Sequence, residues 1–321
     1  MKKDYIIRNP LFFQGEKYLK KNKNYFEGWY FKNTYSNGTI SFIPGICINE
    51  KDKMAFIQII TDQSSYFIFY DIDLFSYNDN PFFIQIQNNY FSFNELYIDI
   101  HDEKQKIDLH GKIKYSHHQT IKSNLLNPNI MGPFSFIPFM ECHHALLSMK
   151  NSINGDIYMN GCCFHFINDT GYIEKDWGIS FPKNYIWLQG NHFHDPSVSF
   201  MLSIADIPFH IFQFKGLICI LIINHTEYRF TTYNISKIIK LDIDKHDLHI
   251  ILKKKHYQLE IISQSHHNQA LSAPIKGQMI KTIKESVSST IQLVLKKNNQ
   301  IIFSDKSIHC GMEIVNNHIK A

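Results

Sequence analysis

No CxxC pair occurs among the six cysteines, and Cys162 and Cys163 are adjacent, so neither a disulfide framework nor a zinc ribbon is written into this chain. Most of the six are therefore expected to be buried, reduced thiols of a cytosolic protein. The longest apolar run, residues 217–223, falls far short of the ~20 residues that cross a bilayer as a helix. Met1-Lys2-Lys3-Asp4-Tyr5 is followed by no apolar stretch, which leads us to expect no secretory signal. There is no glycine-rich phosphate loop, no GxSxG elbow, no HExxH and no EF-hand spacing. No basic strip interleaved with aromatics points to nucleic acid. The net charge is only +4, with both signs interspersed. The short clusters Lys20-Lys21 with Lys23, and Lys253-Lys254-Lys255, are expected to be solvated faces. Helical periodicity is also scarce. Its best stretch, residues 279–286, is the one place where a helix is expected.

What is abundant is period-two alternation. Residues 54–60, 66–70, 82–86, 96–100 and 106–113 read as strands, and the pattern resumes at 198–204, 212–223, 228–232, 248–252 and 257–262. Residues 291–295 and 300–303 flank Lys296-Lys297-Asn298-Asn299 as a final hairpin. Turn-forming clusters at roughly ten-residue spacing are the mark of barrels and sandwiches. The fold class expected is all-β.

An ungapped echo links the halves. Trp29, Asn33, Ser41 and Phe42 fall on Trp187, Asn191, Ser199 and Phe200, with Tyr35, Asn37, Thr39 and Ile40 on Phe193, Asp195, Ser197 and Val198. Two similar β domains in tandem are expected, residues 1–135 and 136–321, joined near Pro128 to Pro138. The Asn127-Pro128-Asn129-Ile130-Met131-Gly132-Pro133 segment breaks regular structure there. A site between such halves would draw on equivalent strands of both.

All three tryptophans lie in two polar-aromatic blocks. In Tyr25-Phe26-Glu27-Gly28-Trp29-Tyr30-Phe31-Lys32 a strand puts Glu27 and Trp29 on one face. Two readings stand: a carboxylate beside an indole on a ligand surface, or Trp29 plugging a barrel end with Glu27 paired to a lysine. In Gly171-Tyr172-Ile173-Glu174-Lys175-Asp176-Trp177-Gly178 three ionisable residues sit between rings. Burial would push Glu174 or Asp176 towards its neutral form while Lys175 opposes it, and a carboxylic acid kept protonated serves as a general acid. The alternative is a local ion pair in a polar turn, with Gly178 supplying an unusual backbone angle. Trp187, Gln189 and Asn191 share a strand face, like the lining of a pocket. Their rings could steady a carbocation and their amides an oxygen substituent. The adjacent pairs His117-His118, His143-His144 and His266-His267 each offer at most one ring per face. His192-x-His194 would need a third ligand that no spacing picks out, and no metal is expected.

These blocks resemble the tocopherol cyclase family and its bacterial relatives. The matching pieces are Phe26 to Lys32, Gly171 to Gly178, Phe181-Pro182, Trp187-Leu188-Gln189 and Asn191-His192-Phe193. Met140 to Met149 with His144, Leu271-Ser272-Ala273-Pro274, Gly277, Met279, Glu285-Ser286 and Gly311-Met312-Glu313 follow in family order. The resemblance implies two lipocalin-like β domains and acid-initiated cyclisation, isomerisation or hydration of an alkene in a prenylated or other lipophilic substrate bound between them. No redox cofactor is implied. Glu174 and Asp176, or Glu27 in their place, would be the catalytic acid. Trp29, Tyr30, His144, Lys175, Trp177, Trp187, Gln189, Asn191 and His192 would bind substrate. The alternative is a lipocalin-like carrier whose carboxylates only stabilise the fold. A cytoplasmic protein is expected, with no nucleic acid partner and at most peripheral membrane contact.

Overall fold

The computed structural model describes residues 9, 12–21, 23–137, 140–209, 212–244 and 247–315. The opening residues 1–5 and Pro138 of the expected junction lie outside them. One helical turn, α1 (Glu16–Leu19), precedes the strands. The first series is β1 (Tyr25–Tyr35), β2 (Gly38–Ile48), β3 (Lys53–Thr61), β4 (Ser65–Asp71), β5 (Phe75–Asp79), β6 (Phe82–Ile86) and β7 (Asn89–Ser92). It continues through β8 (Glu95–Asp102), β9 (Ile107–Gln119), β10 (Cys142–Met159) and β11 (Cys162–Gly178). The second is β12 (Tyr185–Gly190), β13 (Ser199–Phe209), β14 (Phe212–Ile223), β15 (Thr226–Thr231) and β16 (Lys237–Asp244). There follow β17 (Asp247–Lys254), β18 (Tyr257–Gln264), β19 (Gln269–Ile275), β20 (Gln278–Lys297) and β21 (Gln300–Val315). The protein is nearly all β, as the alternation implied.

Local chemistry sets the turns. Asn160-Gly161, Asn224-His225 and Asn298-Asn299 take positive φ at both positions, the twist that a two-residue hairpin requires. Between turns the burial alternates; in β8 it runs Leu96, Ile98 and Ile100 inward against Tyr97, Asp99 and His101 outward.

The helix expected over 279–286 is strand instead. That segment opens β20, whose Glu285 and Ser286 pair with Glu313 and Met312 of β21. A weak 3.6 period lost to ladder pairing across β-branched Thr282, Ile283 and Val287.

Two sheets result, and the strand pairs along each sheet's main order are antiparallel. The first has the order β4-β3-β2-β1-β11-β10-β9-β8-β7-β6-β5, and the second β15-β14-β13-β12-β21-β20-β18-β17-β16 with β19 against β20. Both repeat one plan: the opening strand of a series pairs with its last, and its hairpin neighbours continue outward. Ile68 of β4 and Ile84 and Ile86 of β6, near opposite edges of the first sheet, lie in one core cluster, so this sheet curls on itself. A separate cluster fills the second sheet.

The compact units are residues 1–181 with 271–282, and 182–270 with 283–321. This division falls later than the 135/136 junction read from the sequence. The Asn127–Pro133 break is real, and Gly132–Phe136 is a 3-10 turn, but β10 and β11 beyond it pair with β9 and β1. They therefore belong to the first sheet.

Inside the first unit lies a buried ion pair. Glu27 of β1 and Lys175 of β11 are diagonal neighbours on the core face, with Oε1 and Nζ 2.6 Å apart and both side chains 0% exposed. Tyr25 Oη donates to Glu27 Oε2 at 2.6 Å, and the Gln14 amide donates to both oxygens at 3.0 and 3.1 Å. Lys175 also donates to the Phe12 carbonyl at 2.6 Å and lies 5.1 Å and 4.8 Å from the ring centroids of Trp29 and Trp177. Burial pushes Glu27 up and Lys175 down, each towards neutrality, against their mutual attraction. Removing one partner strands the other in an apolar core. Lys175→Met is expected to cost about 3–5 kcal/mol. Glu27→Gln with Lys175→Met should recover most of that loss, as read by urea denaturation of both variants. An additive double variant would contradict the pairing.

Candidate active site

Successive residues of β11 point to opposite faces, so the inward turn of Lys175 sends Glu174 and Asp176 the other way. Three strands meet on that outer face. Asp176 stands opposite Gly28 of β1 and His144 of β10; Glu174 stands opposite Tyr30 and Leu146. His144 Nδ1 and Asp176 Oδ1 are 2.9 Å apart, and Nε2 lies 3.5 Å from Glu174 Oε2. Tyr172, two residues before Glu174 on the same face, donates its hydroxyl to Glu174 Oε2. Cys142 Sγ lies 3.9 Å from Asp176 Oδ1. Although this is the side away from the core cluster, Tyr30, Tyr172 and Glu174 are buried, and His144 and Asp176 keep only 13% and 22% of their side-chain surface exposed.

Gly178 ends this strand at φ +154, where a Cβ would sit 2.3 Å from the Glu141 carbonyl oxygen. The unusual angle anticipated there is present, and it closes β11 against the start of β10.

The electrostatics separate two adjacent histidines. His143 turns inward and stacks on Trp177, with ring centroids 5.2 Å apart at 9°. Burial lowers its pKa to about 4, helped by Lys17 and Lys175, so it is neutral. For His144, burial also disfavours the charge, but Asp176 and then Glu174 overcome it and raise the pKa to about 9. Its ring is an imidazolium at neutral pH. Burial and the Glu174 charge hold the Tyr172 phenol well above its ordinary value, so it stays a neutral donor. Burial likewise keeps Cys142 a thiol.

Ligand atoms of His144, Glu174 and Asp176 lie within 4.8 Å of one another, the separation at which three groups could share a metal ion. The 2.9 Å contact between Nδ1 and Oδ1 is a hydrogen-bond distance, and it is also close to the separation of adjacent ligands in an octahedral site. His192 and His194 join no such group among the described residues. His194 pairs with Asp305 at 2.8 Å, and the His192 ring packs edge-on to His309 at 5.9 Å.

The residues singled out from sequence therefore divide. Tyr30, His144, Glu174 and Asp176 come together on one face. Glu27, Trp29, Lys175 and Trp177 form a second group on the opposite face, in the core, which favours the structural reading of the first block. Trp187, Gln189, Asn191 and His192 belong to the second unit. There Trp187 points away from the core cluster that its neighbours Ile186 and Leu188 join, whereas Trp29 packs into its own. The echo between the halves thus keeps the strand plan but not the tryptophan's face. β12 stops at Gly190, and the irregular residues that follow let the alternation reset, so that Phe42 and Phe200 both point inward again. The Trp187 ring lies over Gly311, where a Cβ would come within 2.5 Å. On its strand Tyr185 donates to Glu313 at 2.5 Å, and Glu313 stands opposite Glu285.

Tyr172, Tyr25, Tyr185 and Glu313 were not picked out as functional from sequence. The first two had a usable signal: Tyr-x-Glu in a strand puts hydroxyl and carboxylate on one face, and both Tyr25-x-Glu27 and Tyr172-x-Glu174 form the bond. Of the cysteines, Cys47, Cys219 and Cys310 are buried as expected, Cys142 is partly covered, and Cys162 and Cys163 are exposed. No helix among the described residues is long and apolar enough to cross a membrane.

Because the folded pKa of His144 is raised from about 6.5 to about 9, its ion pairs stabilise the fold fully below pH 6.5 and that contribution disappears as pH rises through 9. The span corresponds to about 3 kcal/mol. Urea midpoints measured across this range should fall with pH in the native protein and flatten in His144→Gln. An unchanged slope in the variant would show that another group titrates.

Comparison with known proteins agrees with this organisation. A family model described as tocopherol cyclase-like matches residues 100–315, which includes the His144–Glu174–Asp176 face but not the first aromatic block. The tocopherol cyclase, chloroplastic, of Zea mays is 34% identical over 74 residues, 23% of this chain and 16% of its own length. The alignment thus spans less than a fifth of that relative. Among solved structures, CghA with Sch210972 superposes at a TM-score of 0.57 and 7% identity, covering 91% of this chain and 88% of CghA. Kievitone hydratase from Nectria haematococca superposes at 0.51 and 10% identity, covering 91% and 88%. Likeness at such identities establishes the lipocalin-like fold.

Proposed function

The chain belongs to the tocopherol cyclase-like family, and on that premise we propose that it is an enzyme of acid-initiated alkene chemistry acting on a lipophilic small molecule. The observation that carries this reading is the buried trio of His144, Glu174 and Asp176. Glu174 is the proton donor. The proton starts on the His144 imidazolium, passes from Nε2 to the Glu174 carboxylate and from there to an alkene carbon; the π electrons make the new C–H bond and leave a cation on the more substituted carbon. A hydroxyl of the same substrate captures that cation in cyclisation, or water does so in hydration, and the oxygen's proton returns through the Glu174 carboxylate to His144 Nε2, which restores the imidazolium. Electrons balance without oxidant or reductant, so no redox cofactor takes part.

Asp176 fixes the His144 ring through Nδ1. That leaves Nε2 aimed at Glu174, where the imidazolium resupplies the carboxylate with a proton. Tyr172 holds Glu174 in place. The Tyr30 and Tyr172 rings, 6.5 Å apart and edge to face, offer π density to the cation. Glu27 has no part in the acid step, because it faces the core and is spoken for by Lys175.

The family name supports a first probe, a prenylated hydroquinone. Incubated with the protein in D2O, it should yield a ring-closed product carrying one new C–D bond. Glu174→Gln is expected to lose at least about a hundred-fold in kcat while the probe still binds. Binding is read by quenching of tryptophan fluorescence. Full turnover by Glu174→Gln would remove Glu174 from the acid role. Tight binding without turnover of this or related prenylated phenols by the native protein would favour a carrier.

A further inference from the structure

One end of the second sheet gathers positive charge that the sequence scatters. Lys237 of β16 stands opposite Lys253 of β17, Lys254 opposite Tyr257 of β18, Tyr257 opposite Lys297 of β20, and Lys297 opposite Gln300 of β21. Register therefore brings three turns, residues 235–237, 253–257 and 296–302, to one rim. These turns contain six lysines, Lys237, Lys253, Lys254, Lys255, Lys296 and Lys297, and no carboxylate. The short Lys253-Lys254-Lys255 run, read alone, is an ordinary solvated face; assembled, it is half of a larger patch.

Neutralisation within the fold is slight. Lys296 reaches Glu260 at 3.3 Å, and Lys254 donates to the Arg229 carbonyl at 3.1 Å. Burial and then the nearby Lys255 and Arg229 charges lower the Lys254 pKa. Like charges placed opposite each other on paired strands destabilise a sheet, so Lys237 against Lys253 is a standing repulsion that an anionic partner would relieve.

The same rim displays apolar side chains. Ile235 is 82% exposed, Ile301 63% and Ile302 46%. Ile235 adopts φ +62 at the turn into β16, a conformation that strains a β-branched residue and would suit asparagine. A strained, solvent-facing isoleucine gains nothing from water.

We propose that this rim docks on the surface of an anionic lipid bilayer, the lysines meeting headgroups and Ile235 and Ile301 entering the acyl boundary. Exposed isoleucines beside lysines fit a membrane and not a nucleic acid. Tyr257, the one Phe, Trp or Tyr in these turns, carries Lys297 Nζ over its ring at 5.6 Å and Tyr228 packed edge-on, so it is engaged within the fold and not presented as a platform for stacked bases. The inference stands apart from the acid chemistry and survives if that reading fails.

Flotation of the full chain with vesicles tests it. Vesicles of phosphatidylcholine with phosphatidylserine as the minor lipid should retain the protein, in a salt-sensitive way, and phosphatidylcholine alone should not. Each lysine is worth about five-fold in binding, so Lys253→Gln, Lys255→Gln and Lys297→Gln together should weaken it on the order of a hundred-fold. Ile235→Asn should weaken retention while preserving or raising the urea midpoint, which separates docking from folding. Equal retention by both vesicle types, retention by neither, undiminished binding by the lysine variant, or tighter binding to an RNA oligonucleotide than to the anionic vesicles would overturn the proposal.

Discussion

The contact between Lys175 and Glu27 organises everything that follows in the first unit. A lysine within a β-barrel core is tolerable only if its charge is met, and here a carboxylate, a main-chain carbonyl and two indole faces meet it. The pair spans β1 and β11, the strands that join the beginning of the series to its end. It also fixes the phase of β11. Once Lys175 points inward, Glu174 and Asp176 have no choice of face, and the acidic side chains are delivered to the same side as Tyr30, Tyr172 and His144. Structure and chemistry thus come from one alternating stretch, residues 172–177 of β11, with Ile173, Lys175 and Trp177 turned to the core and Tyr172, Glu174 and Asp176 to the site.

The neighbouring histidines show how strongly the face decides the chemistry. His143 and His144 share a peptide bond, yet one is held neutral against an indole and the other is held charged between two carboxylates. Neither burial nor proximity alone would give this. Both rings are desolvated, and the difference lies in what each meets on its own side of the sheet.

Much of this was legible in the sequence because strands announce themselves by alternation. The strand at 82–86 and that at 212–223 have the bounds the pattern gave, and the clustering of ionisable residues around Trp177 marked the right segment. What could not be read was pairing. Nothing local says that β11 returns to β1, so a junction at 135/136 falls short of the observed division at 181/182, and Glu174, Lys175 and Asp176 read as one cluster although Lys175 faces the other way. A weak helical period at 279–286 misled for the same reason, since β20 owes its form to β21. The tryptophan echo was a true sign of repeated strand order and a false guide to orientation, because one break after Gly190 shifts the alternation. The lysine rim was invisible, as its parts are far apart in sequence and adjacent only through register.

The chemistry of this face depends on His144 being a cation locked between Asp176 and Glu174. Nitrogen NMR of histidine-labelled protein reads the ring's protonation directly. The His144 signal should remain that of imidazolium at neutral pH and titrate near pH 9, with a markedly lower midpoint in Asp176→Asn. A ring that titrates at or below its ordinary value of about 6.5, or that ignores the loss of Asp176, would contradict that charge state.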